Sequence, residues 1–347
     1  VSRGRPVRFS FTRVPAGPLE GFIEFARYGR DLGYDRLWIP DQTYHADPFA
    51  LLAAVAVTVP GLELGLAVTN PYTRHPVQIA RGAATVAELS GGRFLLGLGA
   101  GNRKHVLERL GIDGRQAAAC VREATVLIRR LLRGETVSHE GTWTLRGVRL
   151  DRDSPAEVPI LIGTRNPRML RVAGEVADGV LLEALVTPEA QAYGMSEVSA
   201  GAQAAGRTLD GWEVVAWQTV VVTDDPTGAV ESLRTWAAYL LGMTTRAVAL
   251  RMGVRAEVID AVHERFREGG AEAAREVVGP DEVDRVAIVG DPDRVAARCA
   301  ALVRGGTTDI VVQVWADDAV GRETLRRFAG EVRAKVRDAA TVSPRRP

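Results

Sequence analysis

Only two cysteines occur in 347 residues, Cys120 and Cys299, far apart and in segments that read as helix. They offer neither a disulfide framework nor metal-ligand spacing, and a reducing cytoplasm is the expected compartment. Histidine is scarce as well, with five residues. No HxH or HExxH spacing occurs, so no metal centre is expected. Neither a GxSxG elbow nor a P-loop lysine motif is found. Runs of ~18 uncharged apolar residues are missing, which excludes an apolar membrane helix. The opening VSRGRPVRFSFTRVP has no apolar signal core and does not read as a secretion signal. An excess of one charge is missing too: 44 basic against 43 acidic residues leave +1. Nucleic acid is therefore not an expected partner, because phosphate binding needs a net basic face. What is present is a hydrophobic content of 46%, enough for a sizeable core, with 25% charged residues as in ordinary soluble proteins.

Short β-rich runs alternate with amphipathic helical runs, the pattern of βα units in a parallel sheet. Strands are expected at 7–11, 36–40, 62–68, 93–99, 158–163, 178–184, 213–223 and 308–315. Helices follow them: PLEGFIEFARYGRDLG stops at Gly33, and DPFALLAAVAVTV starts on Asp47 with proline at its first helical position. Eight strands, each with a helix, favour one closed TIM (β/α)8 barrel over residues 1–347; the runner-up is an open Rossmann-like sheet. Two stretches break the rhythm. Residues 135–150 read as a small hairpin insertion, and 226–278 as an almost wholly helical one. RVAIVG, 285–290, reads as a further short strand.

In such a barrel the chemistry sits at the carboxyl ends of the strands. Strand two runs into WIPDQTYH, placing Asp41, Gln42, Tyr44 and His45 there. Strand three runs into TNPYTRHP, a concentration of functional groups between Pro71 and Pro76 that a plain surface loop seldom carries. Strand four leads into GLGAGN. Its alternate glycines resemble a dinucleotide turn only weakly, since no acidic residue ends a second strand at Rossmann distance. They read either as a tight loop needing positive φ or as backbone approaching a flat or anionic ligand, with Asn102 supplying an amide. Strand five breaks at IGTRNP: Gly163, Thr164, Arg165 and Asn166 precede a proline-started helix, which suits either an ordinary Asn166 cap or an anion site. Glu183 ends strand six. For Asp41, His45 and His75 the plain alternative is a loop residue that fixes a turn or a helix start.

Taken together, GYDRLWIPDQTYHADPF, LGLAVTNPYTRHP, ELSGGRFLLGLGAGN, PILIGTRNPRMLRVAGEVADGVLL and GDPDRVAARCAALVRGG resemble the bacterial luciferase-like superfamily. Within it they are most similar to the group using the 5-deazaflavin coenzyme F420, and to methylenetetrahydromethanopterin reductase-like proteins in particular. The resemblance implies a luciferase-like TIM barrel and a non-prolyl cis bond on strand three, here Ala67–Val68, backing the central ring of the deazaflavin. It implies that Asp41, Thr69, Asn70, Gly99, Ala100, Gly101 and Asn102 lie beside the cofactor, and Gly163, Thr164, Arg165 and Asn166 at its phosphodiester. Arg103, Lys104 and Arg168 would attract the anionic tail. The chain departs from the family pattern at Gln42, where relatives carry histidine, at Asn166, where they carry glycine, and at Glu183, where they carry asparagine.

The resemblance implies an F420-dependent oxidoreductase, a reductase delivering hydride from the deazaflavin C5 to an electron-poor C=C or C=N bond of a small molecule. Asp41 is the leading proton-transferring residue, Glu183 the second, and Tyr72 or His45 the weaker options. An FMN-dependent monooxygenase on the same fold is the alternative, and a non-catalytic flavin-binding barrel a third. A homodimer is implied by the resemblance alone.

Overall fold

A computed structural model describes residues 6–151, 157–315 and 318–341. The strands run in chain order β1 (Arg8–Thr12), β2 (Arg36–Ile39), β3 (Glu63–Thr69), β4 (Phe94–Leu98), β5 (Val137–His139), β6 (Leu145–Val148), β7 (Ile160–Gly163), β8 (Gly179–Glu183), β9 (Glu213–Val222), β10 (Ala287–Gly290) and β11 (Asp309–Gln313). One sheet of nine has the order β10-β9-β11-β1-β2-β3-β4-β7-β8, and a further β9–β8 pairing closes it. With β10 set aside as an extra strand along the far half of β9, this is the closed parallel (β/α)8 barrel. The eight expected barrel strands are the eight found, with ends moved by a residue or two.

Packing divides the described residues into two compact units, one drawn from 10–151, 157–181 and 197–213, the other from 6–9, 182–196, 214–315 and 318–341. In the first, the helices α1 (Leu19–Asp31), α2 (Pro48–Thr58), α3 (Pro76–Leu89), α4 (Ala117–Leu132) and α5 (Pro167–Val176) follow their strands. Three start on the cap the sequence offers. Asp47 Oδ1 accepts from the Ala50 amide, His75 Nδ1 from Val77, and Asn166 Oδ1 from Arg168 and Met169. Phe11 packs on Phe25 and Tyr34, which binds β1 to α1. The β5–β6 hairpin fills the expected 135–150 insertion. Glu123 on α4 anchors it, receiving the Thr142 hydroxyl at 2.7 Å, the Trp143 amide at 3.4 Å and the His139 ring at 2.9 Å. Partial burial opposes ionisation of Glu123, but these bonds prevail and hold its carboxyl below the usual range. At the hairpin tip, Trp143 meets His75 edge-on, with ring centres 6.4 Å apart.

The second unit holds the helical insertion. It comprises α7 (Pro226–Gly242), α8 (Arg246–Arg251) and α9 (Ala256–Arg275), the last bent at Gly269 and Gly270; α6 (Pro188–Ala204) straddles the division. Next come α10 (Pro280–Asp284), α11 (Pro292–Arg304), α12 (Ala319–Arg327) and α13 (Arg333–Thr341). Phe9 stacks edge-on with Phe328, and Ile288, Ile310 and Val312 are fully buried. Both cysteines are buried, and burial pushes the thiol of Cys120 up and that of Cys299 up to about 12. No described helix is long and apolar enough to cross a membrane.

Candidate active site

The bond between Ala67 and Val68 is cis, as the resemblance implied, and β3 loses register with β4 between Leu66 and Thr69. Three glycines make room for the Val68 side chain here. A β-carbon on Gly99 would sit 2.5 Å from Val68 Cγ2, and one on Gly163 2.7 Å from Val68 Cγ1. A β-carbon on Gly97 would meet the Leu66 carbonyl at 2.3 Å. Of the glycines in GLGAGN only Gly101 needs the left-handed conformation, at φ 71°. The alternating glycines therefore serve chiefly close approach between strands, a role that neither sequence-based alternative included.

Beyond the bulge, β3 turns polar inside the protein. Thr69 is fully buried, its carbonyl accepts from the Gly99 amide at 2.9 Å, and its hydroxyl donates to Asp41 Oδ2 at 2.6 Å. The Asp41 side chain is only 7% exposed, and Arg74 Nε lies 3.6 Å from the same oxygen. Burial raises the Asp41 carboxyl above the ordinary aspartate range; the Thr69 bond and the Arg74 charge oppose this without cancelling it. Asn70 is 4% exposed, and its Oδ1 accepts from the amides of Tyr72 and Thr73 and from the Thr73 hydroxyl. Two amide donors fix that oxygen as the acceptor, which turns the Nδ2 donor towards Gly101, 3.3 Å from where a β-carbon would be.

Asn102 begins a π-helical turn, Arg103–Leu107, with Oδ1 accepting from the His105 amide. Arg103 is paired with Glu108, and both it and Lys104 are exposed. Tyr44 and Tyr72 tie the loops after β2 and β3 to the connection that follows β4, donating to the carbonyls of His105 and Arg115. Burial, with Cys120 beside it, pushes the Tyr72 phenol up. His45 and Gln42 are exposed. At the end of β7 the Thr164 amide bonds to the Leu181 carbonyl and the Asn166 amide to the Thr164 hydroxyl, while Asn166 itself caps α5. Arg165 is half-buried on that turn and Arg168 exposed. Thus Asp41, Thr69, Asn70 and Gly99–Asn102 gather at one set of strand ends, and Gly163–Asn166 end the neighbouring strand.

Glu183 ends β8 in the second unit, half-buried, beside Ala184 in a left-handed conformation at φ 55°. Sequence reading passed over Gln313 at the end of β11. Its Oε1 accepts from the Trp217 indole at 2.8 Å and from the Thr219 hydroxyl at 3.5 Å. A glutamine inside the apolar strands AWQTVVV and DIVVQVW was the available signal. Arg74 was passed over as well: its own loop, TNPYTRHP, holds no carboxylate, and its partners Asp41 and Asp47 come from the connection after β2.

These residues fit a flat heterocycle with a polar edge. The cis bulge at Ala67–Val68, with the Val68 side chain seated against Gly97, Gly99 and Gly163, offers a small apolar surface, and an oriented amide donor and a buried carboxyl stand beside it. The luciferase-like monooxygenase family model matches residues 6–309. A 5,10-methylenetetrahydromethanopterin reductase of Archaeoglobus fulgidus is 32% identical over 310 residues, covering 88% of this chain and 92% of that one. The enzyme of the same name from Methanopyrus kandleri is 28% identical over 93% of this chain and 99% of its own. The solved structure of the F420-dependent tetrahydromethanopterin reductase of Methanopyrus kandleri superposes with a TM-score of 0.80 at 27% identity, covering 94% of this chain and 98% of that one.

Proposed function

The chain belongs to the luciferase-like monooxygenase family, and from that premise we propose that it is an F420-dependent oxidoreductase working as a reductase on a small molecule. The observation that carries this reading is the group Asp41–Thr69–Asn70 beside the cis bulge at Ala67–Val68, in a chain similar along nearly its whole length to an F420-dependent reductase. When bound, reduced F420 supplies the hydride, delivered to an electron-poor C=C or C=N bond. The protein has to bind, orient, exclude water and manage a proton.

Asn70 Nδ2 and the Thr69 backbone serve the polar edge of the ring. Ala67, Val68, Gly99, Ala100 and Gly101 form the surface it rests on, and Asn102 holds the turn that follows. Gly163, Thr164, Arg165 and Asn166 lie along the phosphodiester. The cap amides are already engaged by Asn166, which leaves the Arg165 side chain as the main cationic partner. Asp41 carries the proton: its raised pKa keeps it protonated to a higher pH than an exposed aspartate, as a general acid requires. Glu183 is the second candidate for proton transfer or for contact with substrate. The hairpin tip at Trp143 shapes substrate entry. A cytoplasmic homodimer completes the reading.

Fluorescence titration of the purified protein with F420 and, in parallel, with FMN tests it. Micromolar or tighter binding of F420 with no comparable FMN binding is the expected result. Preference for FMN moves the chain to the monooxygenase branch, with oxygen uptake as the next assay. Binding of neither removes the chemistry and leaves the barrel.

A further inference from the structure

Asp47 carries two interactions on two different oxygens. Oδ1 caps α2 through the Ala50 amide at 3.0 Å, and Oδ2 receives Arg74 Nη2 at 2.5 Å. The Arg74 guanidinium also lies over the Phe49 ring, 5.5 Å from its centre, so aromatic contact and ion pair draw it the same way. Its nearest approach to Asp41 is through Nε at 3.6 Å, an ion pair that lowers the Asp41 pKa but is longer and weaker than the contact with Asp47. Asp41 thus has an arginine close by that is committed elsewhere. Among the described residues the charged groups acting on Asp41 are this Arg74, from the loop before α3, and Asp47, from the start of α2; Thr69 on β3 adds a neutral hydrogen bond.

We propose that Asp47 is a positioning residue that holds Arg74 away from Asp41 and so keeps Asp41 able to carry a proton. Had Arg74 closed on Asp41 in a bidentate pair, the carboxylate would be locked ionised. The helix cap gives Asp47 a fixed place from which to compete for the guanidinium. For the reaction, this rests on the reading of Asp41 as the proton donor.

Asp47→Asn separates the two roles, because asparagine caps as well as aspartate but carries no charge for Arg74. The Asp41 carboxyl is followed by carbon-13 NMR in cofactor-free protein and assigned by its loss in Asp41→Asn. In D47N its titration midpoint should fall by about one pH unit or more, with the thermal midpoint unchanged. In Arg74→Gln it should rise. An unchanged or higher Asp41 midpoint in D47N overturns the proposal, and so does an equal fall when D47N is added to R74Q, which would come from the Asp47 charge itself and not from its hold on Arg74. With cofactor and acceptor present, the pH at which turnover falls should move down in D47N. If D41N keeps full turnover, the proton-donor reading fails while the NMR shift still reports on the charge arrangement, so the two failures are distinguishable.

Discussion

The first unit buries charge at both ends of its strands and treats it in opposite ways. At the amino ends Arg36 is 1% exposed. Its Nε and Nη2 both bond Glu63 Oε2, at 3.1 and 2.6 Å, Glu213 lies 4.0 Å away, and the guanidinium stacks on Trp38 at 5.2 Å. At the carboxyl ends Asp41 is nearly as buried, yet it has one hydroxyl and an arginine held at 3.6 Å by another carboxylate. The barrel floor compensates its charge; the mouth leaves its charge short of compensation. A buried ion that is fully paired stays ionised and contributes to structure. A buried carboxyl that is partly paired keeps its proton to a higher pH than an exposed one. The contrast follows the division of labour in (β/α)8 barrels, with chemistry at the carboxyl ends and stability at the amino ends.

Exchanging the properties of the two ends tests that division. The largest effect is expected from Asp41→Asn. Turnover should drop about 100- to 10,000-fold, the range for a lost general acid, while F420 affinity changes little. Its effect on stability has the opposite sign. Because the folded carboxyl titrates above the unfolded one, the unfolded state ionises first as pH rises, and the native protein loses stability through that window. D41N should remove this slope and melt no lower than wild type above it, as scanning calorimetry across pH would show. Equal loss of affinity and turnover would make Asp41 a binding residue.

Next in size is Arg36→Met on the floor. About 3 kcal/mol should be lost in urea unfolding, at the low end for a broken buried pair because Glu63 keeps some solvent. Activity per folded molecule should stay at the wild-type level. A fall in turnover without loss of stability would erase the distinction between the ends.

The smallest effect falls on the wall between them. Gly99→Ala forces a methyl to within 2.5 Å of Val68 and should cost about 1–3 kcal/mol, as overpacking does. Adding Val68→Ala should recover much of that cost, and a double-mutant cycle would measure the coupling. Absence of coupling would mean that the glycine serves the ligand directly.

Much of the fold was legible because each barrel strand is a short apolar run followed by a polar turn and a marked helix start. Asp47-Pro48, His75-Pro76 and Asn166-Pro167 show themselves as caps in the sequence, and all three cap. The strand ends were legible for the same reason, since function lies where the apolar run stops. What stayed hidden depends on side-chain direction. Nothing in GLGAG says that its glycines make space for a valine some thirty residues earlier. Nor does spacing tell which of two aspartates an arginine will choose, a matter of reach and of Phe49 beneath it. Gln313 was hidden by its setting, because its partners Trp217 and Thr219 become neighbours only when β11 pairs with β9.

The buried cysteines have a practical consequence for anyone studying motion in this enzyme. Thiol reagents attack the thiolate, and neither Cys120 nor Cys299 offers one at neutral pH in the folded protein. The native chain is thus a silent background for site-directed labelling. A single cysteine introduced at an exposed position such as Val57 or Val126 would be the one group to take a dye or spin label, with no native cysteine to be replaced first.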